Sequence, residues 1–154
     1  MIMNVWYECR IRYQKTAESG KEKKVSEAYL VDALSFTEAE SRIIENMTPY
    51  ITGDFKVTAI KLANIAELFK SGAEDDDKWY RVKAAFITLD EKSGKERRSS
   101  WYAMVQASTT ERAERLFHER MKGTMSDYRV ESITETAIMD VFPFALDAET
   151  DETR

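Results

Sequence analysis

The feature that most restricts the fold is an internal repeat, because the chain resembles itself at an offset of about 73 residues. The matching segments occur in the same order in both halves, and the offset stays within one residue over about 65 residues. Such a repeat predicts two similar supersecondary units in one chain. The matches are Trp6-Tyr7 with Trp79-Tyr80, 19–22 with 93–96, Tyr29 with Tyr102, 54–57 with 127–130, and 65–69 with 138–142.

The repeat divides the chain into two units and two acidic segments. The first unit covers residues 4–69 and the second covers 77–144. An acidic linker is expected at 70–76, with its acidic run continuing to Asp77, and an acidic flexible tail at 145–154. Residues 70–77 and 145–154 together hold eight acids and two bases, so the formal charge of −5 for the whole chain becomes +1 for the rest. A local basic strip is therefore compatible with an acidic chain.

Each unit opens with a pattern that predicts a long β-hairpin. Residues 5–13 alternate between apolar and polar side chains, which is typical of a half-buried strand. Residues 79–86 alternate in the same way. Each strand enters a Ser-Gly-Lys-Glu loop, where the glycine suits a turn with positive φ. A second strand at 25–34, and its counterpart at 98–107, completes each hairpin.

A helix is predicted after each hairpin. Ser35 and Glu38 have the spacing of a capping box, and Ser108 and Glu111 repeat it. Apolar residues then recur at helical spacing, which predicts one buried stripe per helix. The stripes are Phe36, Ala39, Ile43 and Met47 in the first unit, and Ala113, Leu116, Phe117 and Met121 in the second.

The last segment of each unit predicts a third strand. Residues 54–69 and 127–142 are rich in β-branched and aromatic side chains, and their alternation slips near Ala59-Ile60 and Ser132-Ile133, which indicates a bulge. Each unit is then β-β-α-β, with a right-handed crossover that gives the strand order 2-1-3. We expect an α+β protein of tandem β-β-α-β repeats with pseudo-twofold symmetry. The two units either share a sheet or pack against each other, with up to six antiparallel strands in all and the helices on one face.

The residues that catalysis most often needs are scarce in this chain. The single cysteine, Cys9, lies on the predicted core face and rules out an intramolecular disulfide framework. The single histidine, His118, has no counterpart in the first unit and no evident catalytic partner. The Ser-Gly-Lys loops lack the earlier glycine of a phosphate-binding loop and join two strands. We therefore expect a protein that is not an enzyme, with no cofactor and no metal site.

The polar face of the two first strands is the candidate binding surface. Aromatic and basic side chains share that face, and basic residues of the hairpin loops lie near it, an arrangement that suits single-stranded nucleic acid. Alternatively, each tryptophan packs against the sheet, the other unit or a second chain, which favours a protein partner or a homodimer. The candidate residues are Trp6, Arg10, Arg12, Lys23 and Lys24 in the first unit, and Trp79, Arg81, Lys83, Arg97 and Arg98 in the second.

Both readings describe a non-enzymatic interaction module. In the first, the module binds a protein or itself through the aromatic sheet face. In the second, it binds single-stranded DNA or RNA through the aromatic and basic side chains of that face. No apolar run approaches the roughly 20 residues of a membrane span, so no membrane association is expected.

The twin pattern Trp-Tyr, Ser-Gly-Lys-Glu and Asp-(Phe/Tyr)-(Lys/Arg)-Val resembles a family of domains of unknown function from Bacteroidetes and their phages. The resemblance covers residues 4–144. It implies a cytoplasmic protein of bacterial or phage origin, and it assigns no activity and no site residues.

Overall fold

The computed structural model describes residues 5–143, and the predicted tail at 145–154 lies outside this range. The described part is a mixed α+β structure with two helices and two four-stranded sheets. No helix in it is long and apolar enough to cross a membrane. The elements are β1 (Val5–Thr16), β2 (Glu22–Ala33), α1 (Phe36–Met47), β3 (Phe55–Leu62), β4 (Glu67–Phe69), β5 (Lys78–Leu89), β6 (Glu96–Ala107), α2 (Thr110–Arg120), β7 (Asp127–Glu135) and β8 (Ile138–Phe142).

Two compact units make up the structure, and the chain enters unit 1 twice. Within the described range, unit 1 contains residues 5–63 and 137–143, and unit 2 contains residues 64–136. These boundaries differ from the predicted units at 4–69 and 77–144. The difference arises because β4 belongs to the sheet of unit 2 and β8 to the sheet of unit 1.

Unit 1 is a sheet of order β3-β1-β2-β8 with α1 on one face. Strand β1 pairs antiparallel with both β2 and β3, which is the 2-1-3 order that the sequence predicts. Strand β8 adds to the other side of β2 in parallel. Alternate residues of β1 and β2 meet the helix, and the core includes Cys9, Ile11 and Val31 against Ala39 and Ile43.

Unit 2 is a sheet of order β4-β6-β5-β7 with α2 on one face. Strand β5 pairs antiparallel with β6 and β7, and the short strand β4 pairs in parallel with β6. The core includes Val82, Ala84 and Val105 against Ala113 and Phe117. Val82 and Ala84 are alternating positions of the predicted first strand, and Ala113 and Phe117 belong to the predicted helix stripe.

The predicted bulges are present in β3 and β7. The pairing of β1 with β3 shifts between Arg10 and Ile11, and that of β5 with β7 shifts between Lys83 and Ala84. In each case the third strand holds one residue with no partner in the register, Thr58 or Glu131. The slip in the alternation therefore located each bulge to within about one residue.

The prediction of one long third strand per unit is wrong. Strand β3 ends at Leu62, and the next amide, that of Ala63, donates the last hydrogen bond to β1, at 2.9 Å from the Trp6 carbonyl. The Ala66 amide instead donates to the Tyr102 carbonyl in the sheet of unit 2, at 2.8 Å. The segment 127–142 divides in the same way. Of the two arrangements expected for the units, the single shared sheet is wrong, because the described strands form two separate four-stranded sheets.

One acidic residue of the segment predicted as a linker is buried in unit 2. The Asp76 side chain is buried, and its two carboxylate oxygens accept from Nε and Nη2 of Arg112 in α2 at 2.8 and 2.6 Å. The hydroxyls of Ser71 and Ser108 also bond to it. This acid therefore fixes the entry to β5 against the first turn of α2.

Candidate functional site

A groove of about 990 Å³ lies at one end of unit 1, and we call it the basic groove. Its walls come from the last residues of β1, the first residues of β2 and β3, and the connection between α1 and β3. Four of its side chains are basic and two are acidic. The lining is Arg12, Tyr13, Gln14, Lys15, Thr16, Glu22, Lys24, Tyr50, Ile51, Thr52, Gly53, Asp54, Phe55 and Lys56.

The basic side chains at the groove lie on the face of the unit 1 sheet that the helix does not cover. The ion pairs found on that face are farther along β1, at Glu8. The alternation of β1 sends Glu8, Arg10 and Arg12 to this face. Glu8 lies 3.8 Å from the Arg10 guanidinium and 3.5 Å from the Lys61 amine, so that it forms ion pairs with both. Beyond this cluster, Arg12, Lys24 and Lys56 follow on the same face, and the groove they reach is also lined by Glu22 and Asp54.

Arg12 and Lys56 are directly opposite each other in the pairing of β1 with β3. Side chains of an antiparallel pair leave the backbone about 5 Å apart, and like charges placed there destabilise the sheet. Among residues 5–143, no acidic group lies within 4.0 Å of either cation. Neither cation therefore forms an ion pair within the described residues, although the Glu22 and Asp54 carboxylates line the same groove.

Lys24 adds a third cation on β2, the strand on the other side of β1 from Lys56, where it lies opposite Gln14. It too has no acid within ion-pair distance in the described range. Lys23, the adjacent candidate, is exposed and lies opposite Lys15. Of the five candidate residues of the first unit, the structure thus brings Arg12 and Lys24 into the groove, and Lys23 is not part of its lining.

An exposed aromatic ring borders the same groove. Tyr50 is 76 % exposed, whereas Tyr13 and Phe55 are partly buried against the core. The Tyr50 amide donates to the Met47 carbonyl at 3.0 Å, and the Ile51 amide donates to the same carbonyl at 3.2 Å. These bonds fix the backbone that carries the ring at the end of α1, while the ring itself faces solvent.

Sequence reasoning missed Tyr50 and Lys56. Both lie outside the two hairpins on which the candidate surface was based, and only the pairing of β3 with β1 brings Lys56 beside Arg12. The signal in the sequence was present but ambiguous. Tyr50 follows Pro49 in a segment that reads as a helix end, and Lys56 is one of several charges in a predicted strand.

Tyr13 lines the inner side of the groove, and its hydroxyl and that of Tyr29 bond to the same carboxylate, that of Glu27. Burial and a hydrogen bond to the Glu27 carboxylate raise the pKa of Tyr13 to about 12. The Tyr29 hydroxyl donates to the same carboxylate, with an oxygen–oxygen distance of 3.1 Å, and burial raises the pKa of Tyr29 as well. Both phenols are therefore neutral at physiological pH, and the Tyr13 hydroxyl adds no negative charge to the groove.

The other two candidates of the first unit lie outside the groove. Trp6 is partly buried at the opposite end of β1, three alternate positions away from Arg12, and pairs with Asp32. Arg10 lies between them and is paired with Glu8. Trp6 and Arg12 share a face, as predicted, but successive side chains on one face are about 7 Å apart, so they cannot form one small site.

In the second unit, the aromatic platform predicted from Trp79 is absent. Trp79 is 2 % exposed, so its ring is not available to stack on a base. Arg81 places its guanidinium over the Tyr102 ring, 4.3 Å from the centroid, and its Nε is buried without a hydrogen-bond partner in the described structure. The Lys83 amine lies 3.9 Å from the Glu131 carboxylate. The two cations are thus engaged within unit 2, and the ring beside them is buried.

The two loop arginines of unit 2 are exposed but do not form a site with these residues. Arg97 lies 3.5 Å from the Asp90 carboxylate across the hairpin turn. Arg98 lies opposite Ile87 on β5. A shallow groove beside Asp90 in this hairpin includes Arg97 and not Arg98.

The two candidate nucleophile and base residues lie in ordinary structural settings. The Cys9 thiol is fully buried, and burial raises its pKa to about 12, which opposes formation of the reactive thiolate. His118 Nδ1 is 2.7 Å from the Tyr128 hydroxyl, and Nε2 is 3.6 Å from the Glu114 carboxylate. Residues 5–143 contain no group of three or more His, Cys, Asp or Glu side chains arranged to hold a metal ion.

Comparison with known proteins places this chain in a family. A family model described as a domain of unknown function, DUF4494, matches residues 5–144. The chain belongs to the DUF4494 family. The match includes every residue of the basic groove of this DUF4494 protein as well as both hairpins. A search of the curated proteins finds no match.

Proposed function

We propose that this DUF4494 protein is a non-enzymatic interaction module that binds an anionic partner in the basic groove of unit 1. The observation that carries the proposal is a groove lined by Arg12 and Lys56, which face each other and form no ion pair in the described range, and by the exposed ring of Tyr50. Like charges placed directly opposite each other cost stability, and a bound anion removes that cost. The Cys9 thiol is fully buried, which supports the non-enzymatic part of the proposal.

The test compares stability with binding in the same variants. Lys56→Gln removes one charge of the pair, so we expect the unliganded protein to gain a few tenths of a kcal/mol of stability, within the range of cross-strand pairs. The same variant should bind inorganic polyphosphate more weakly. Thermal unfolding and calorimetric titration at low salt provide the two measurements.

Lys61→Gln is the matched control, because Lys61 lies on the same strand but is paired with Glu8. We expect it to lose a little stability and to bind polyphosphate like the wild type. If Lys56→Gln is destabilised, and polyphosphate binding falls equally in both variants, the groove has no special role and the proposal fails.

A second candidate function, binding of a protein partner or a second copy, is favoured by an apolar end on unit 1. Val5, Leu34, Phe36 and Leu62 are 41, 51, 50 and 58 % exposed. They are close together, because Val5 pairs with Ala33 and Tyr7 pairs with Leu62. This cluster replaces the aromatic sheet face as the surface to test, since Trp79 is buried. Light scattering of the wild type and of Leu34→Glu tests it: a concentration-dependent dimer that the variant abolishes is expected.

Three finer proposals accompany this function. The two halves follow one element order, β-β-α-β-β, which supports an origin by tandem duplication with pseudo-twofold symmetry. The cytoplasm of a bacterium, or of a phage-infected cell, is the proposed location. The acidic tail at 145–154 is proposed to compete with the anionic partner for the groove, so its deletion should tighten binding.

A further inference from the structure

We propose that the anionic partner is single-stranded nucleic acid, with phosphates on Arg12, Lys56 and Lys24 and a base on Tyr50. This inference rests on the proposed function, because it names the ligand of the same groove. It differs from the surface that the sequence suggested, since none of the three tryptophans contributes to the groove lining.

The cations are arranged to follow a phosphate backbone. Arg12 is the central one, with Lys56 opposite it on β3 and Lys24 beside Gln14 on β2. They therefore form a row that crosses three neighbouring strands, which are about 4.8 Å apart in a sheet. Guanidinium and ammonium groups on a sheet suit phosphate oxygens, because each contact is a charge-assisted hydrogen bond.

The exposed ring distinguishes nucleic acid from a simple polyanion. Tyr50 is 76 % exposed, and among the aromatic residues lining the groove it is the one that faces solvent. A base that stacks on such a ring contributes about 1–3 kcal/mol to binding. Stacking requires an unpaired base, so the groove suits a single strand rather than a duplex.

The two acidic residues of the groove also favour nucleic acid as the ligand. Glu22 and Asp54 line it together with the cations. An acidic peptide or polyphosphate meets repulsion from these carboxylates, whereas the exocyclic amines of adenine, cytosine and guanine donate hydrogen bonds to them. A mixed lining therefore favours a ligand that combines phosphates with donor groups.

The experiment measures fluorescence anisotropy of a labelled, unstructured ten-nucleotide oligomer of mixed sequence, as DNA and as RNA. Inorganic polyphosphate and poly-glutamate serve as competitors. Three phosphate contacts on a single strand predict a salt slope of about −2, so the affinity should fall roughly 20-fold between 50 and 200 mM salt.

Variants of one residue separate stacking from charge. Tyr50→Ala should lower the affinity for the oligomer about fivefold or more, and Tyr50→Phe should keep most of it. Neither variant should change the affinity for polyphosphate itself. Tyr50 is a suitable target because its ring is mostly exposed, so its replacement leaves the fold intact. Lys56→Gln should weaken both ligands and reduce the salt slope by about 0.7, and Lys61→Gln should change neither.

The failures are distinguishable. If polyphosphate binds and depends on Lys56, but Tyr50→Ala leaves oligomer binding unchanged, the ligand assignment is wrong and the anion-binding groove stands. If poly-glutamate binds more tightly than the oligomer, the partner is an acidic protein. If no probe binds at low salt, both the inference and the proposed function fall.

Discussion

At the scale of single residues, two buried carboxylates show how charge is used inside the units. Asp32 and Asp76 are 4 and 1 % exposed. Arg42 of α1 bonds to Asp32 Oδ1 at 2.9 Å and to the Pro143 carbonyl at 3.0 Å, so one guanidinium joins α1, the end of β2 and the chain after β8. Arg112 holds Asp76 in unit 2. A buried charge stays favourable only when it is paired in this way.

Asp76 should make stability depend on pH in the acid range. The Arg112 guanidinium holds the pKa of Asp76 well below its usual range. A carboxyl whose pKa is lowered by folding contributes stability that is present above its unfolded pKa, about 3.9, and is lost as the pH falls towards the folded value. At pH 7, Asp76→Asn should therefore cost about 1–3 kcal/mol.

Chemical denaturation at several pH values measures this difference. The gap between wild type and Asp76→Asn should narrow steadily as the pH is lowered below about 4. A gap that stays constant from pH 7 to pH 2 would show that the Asp76 charge does not contribute.

The faces of individual residues were predictable, and their partners were not. Alternation placed Cys9 and Val82 in the core correctly, because one face of each sheet is covered by a helix. Which cation is left unpaired depends on the register of β3, which brings Lys61 to Glu8 and Lys56 to Arg12. Nothing local to β1 contains that information. The burial of Trp79 is likewise decided by the tertiary structure.

At the scale of elements, the two halves align with two offsets rather than one. Cys9 pairs with Tyr29, and Val82 pairs with Ala103, so Tyr29 corresponds to Ala103 and the match of Tyr29 with Tyr102 was wrong. The offset is 73 in the first strand and 74 in the second strand and the helix. One extra residue in the second hairpin loop accounts for the change, and the loop after α2 restores the original offset.

The helix α2 begins 74 residues after the corresponding point of α1, because the N-cap residues are Ser35 and Thr109. Thr109, not Ser108, is the N-cap, and its hydroxyl accepts from the Arg112 amide at 3.1 Å, as Ser35 accepts from Glu38 in α1. Thr109→Ala should cost about 0.5–2 kcal/mol of stability, because one helix amide loses its partner.

Thr110→Ala is the control for this cap, since Thr110 is exposed and is the first helical residue. It should change the free energy of unfolding by less than about 0.5 kcal/mol. Urea titrations followed by circular dichroism compare the two. Equal losses in both variants would contradict the assignment of the cap.

At the scale of the whole molecule, neither half of the chain forms a complete sheet. Strand β8 supplies the fourth strand of sheet 1, and Phe142 stacks on Tyr29 with ring centroids 5.7 Å apart. The sequence pattern indicated a strand at 138–142 but did not indicate which sheet that strand joins. A short apolar strand can join any sheet edge with a compatible register, so local patterning cannot choose between the two sheets.

A fragment of residues 1–72 tests this organisation, because it contains the whole predicted first unit but lacks β8. It loses the parallel partner of β2, the Phe142 ring and the Pro143 carbonyl that binds Arg42. Loss of the contacts of the partly buried Phe142 ring alone costs about 1 kcal/mol, so we expect the fragment to unfold at much lower urea than the full chain. A chain of residues 1–146 keeps these contacts and should behave like the full chain. Equal stability of 1–72 and 1–146 would contradict the structure.

The basic groove is the central functional claim, and amide NMR spectra recorded during titration with the ten-nucleotide oligomer test it most directly. The account predicts that shift changes concentrate at residues 12–16, 22–24 and 50–56, and that the amides around Trp6 and Trp79 change little. Shift changes centred on those tryptophans or on Leu34 and Phe36, with the groove unaffected, would contradict it.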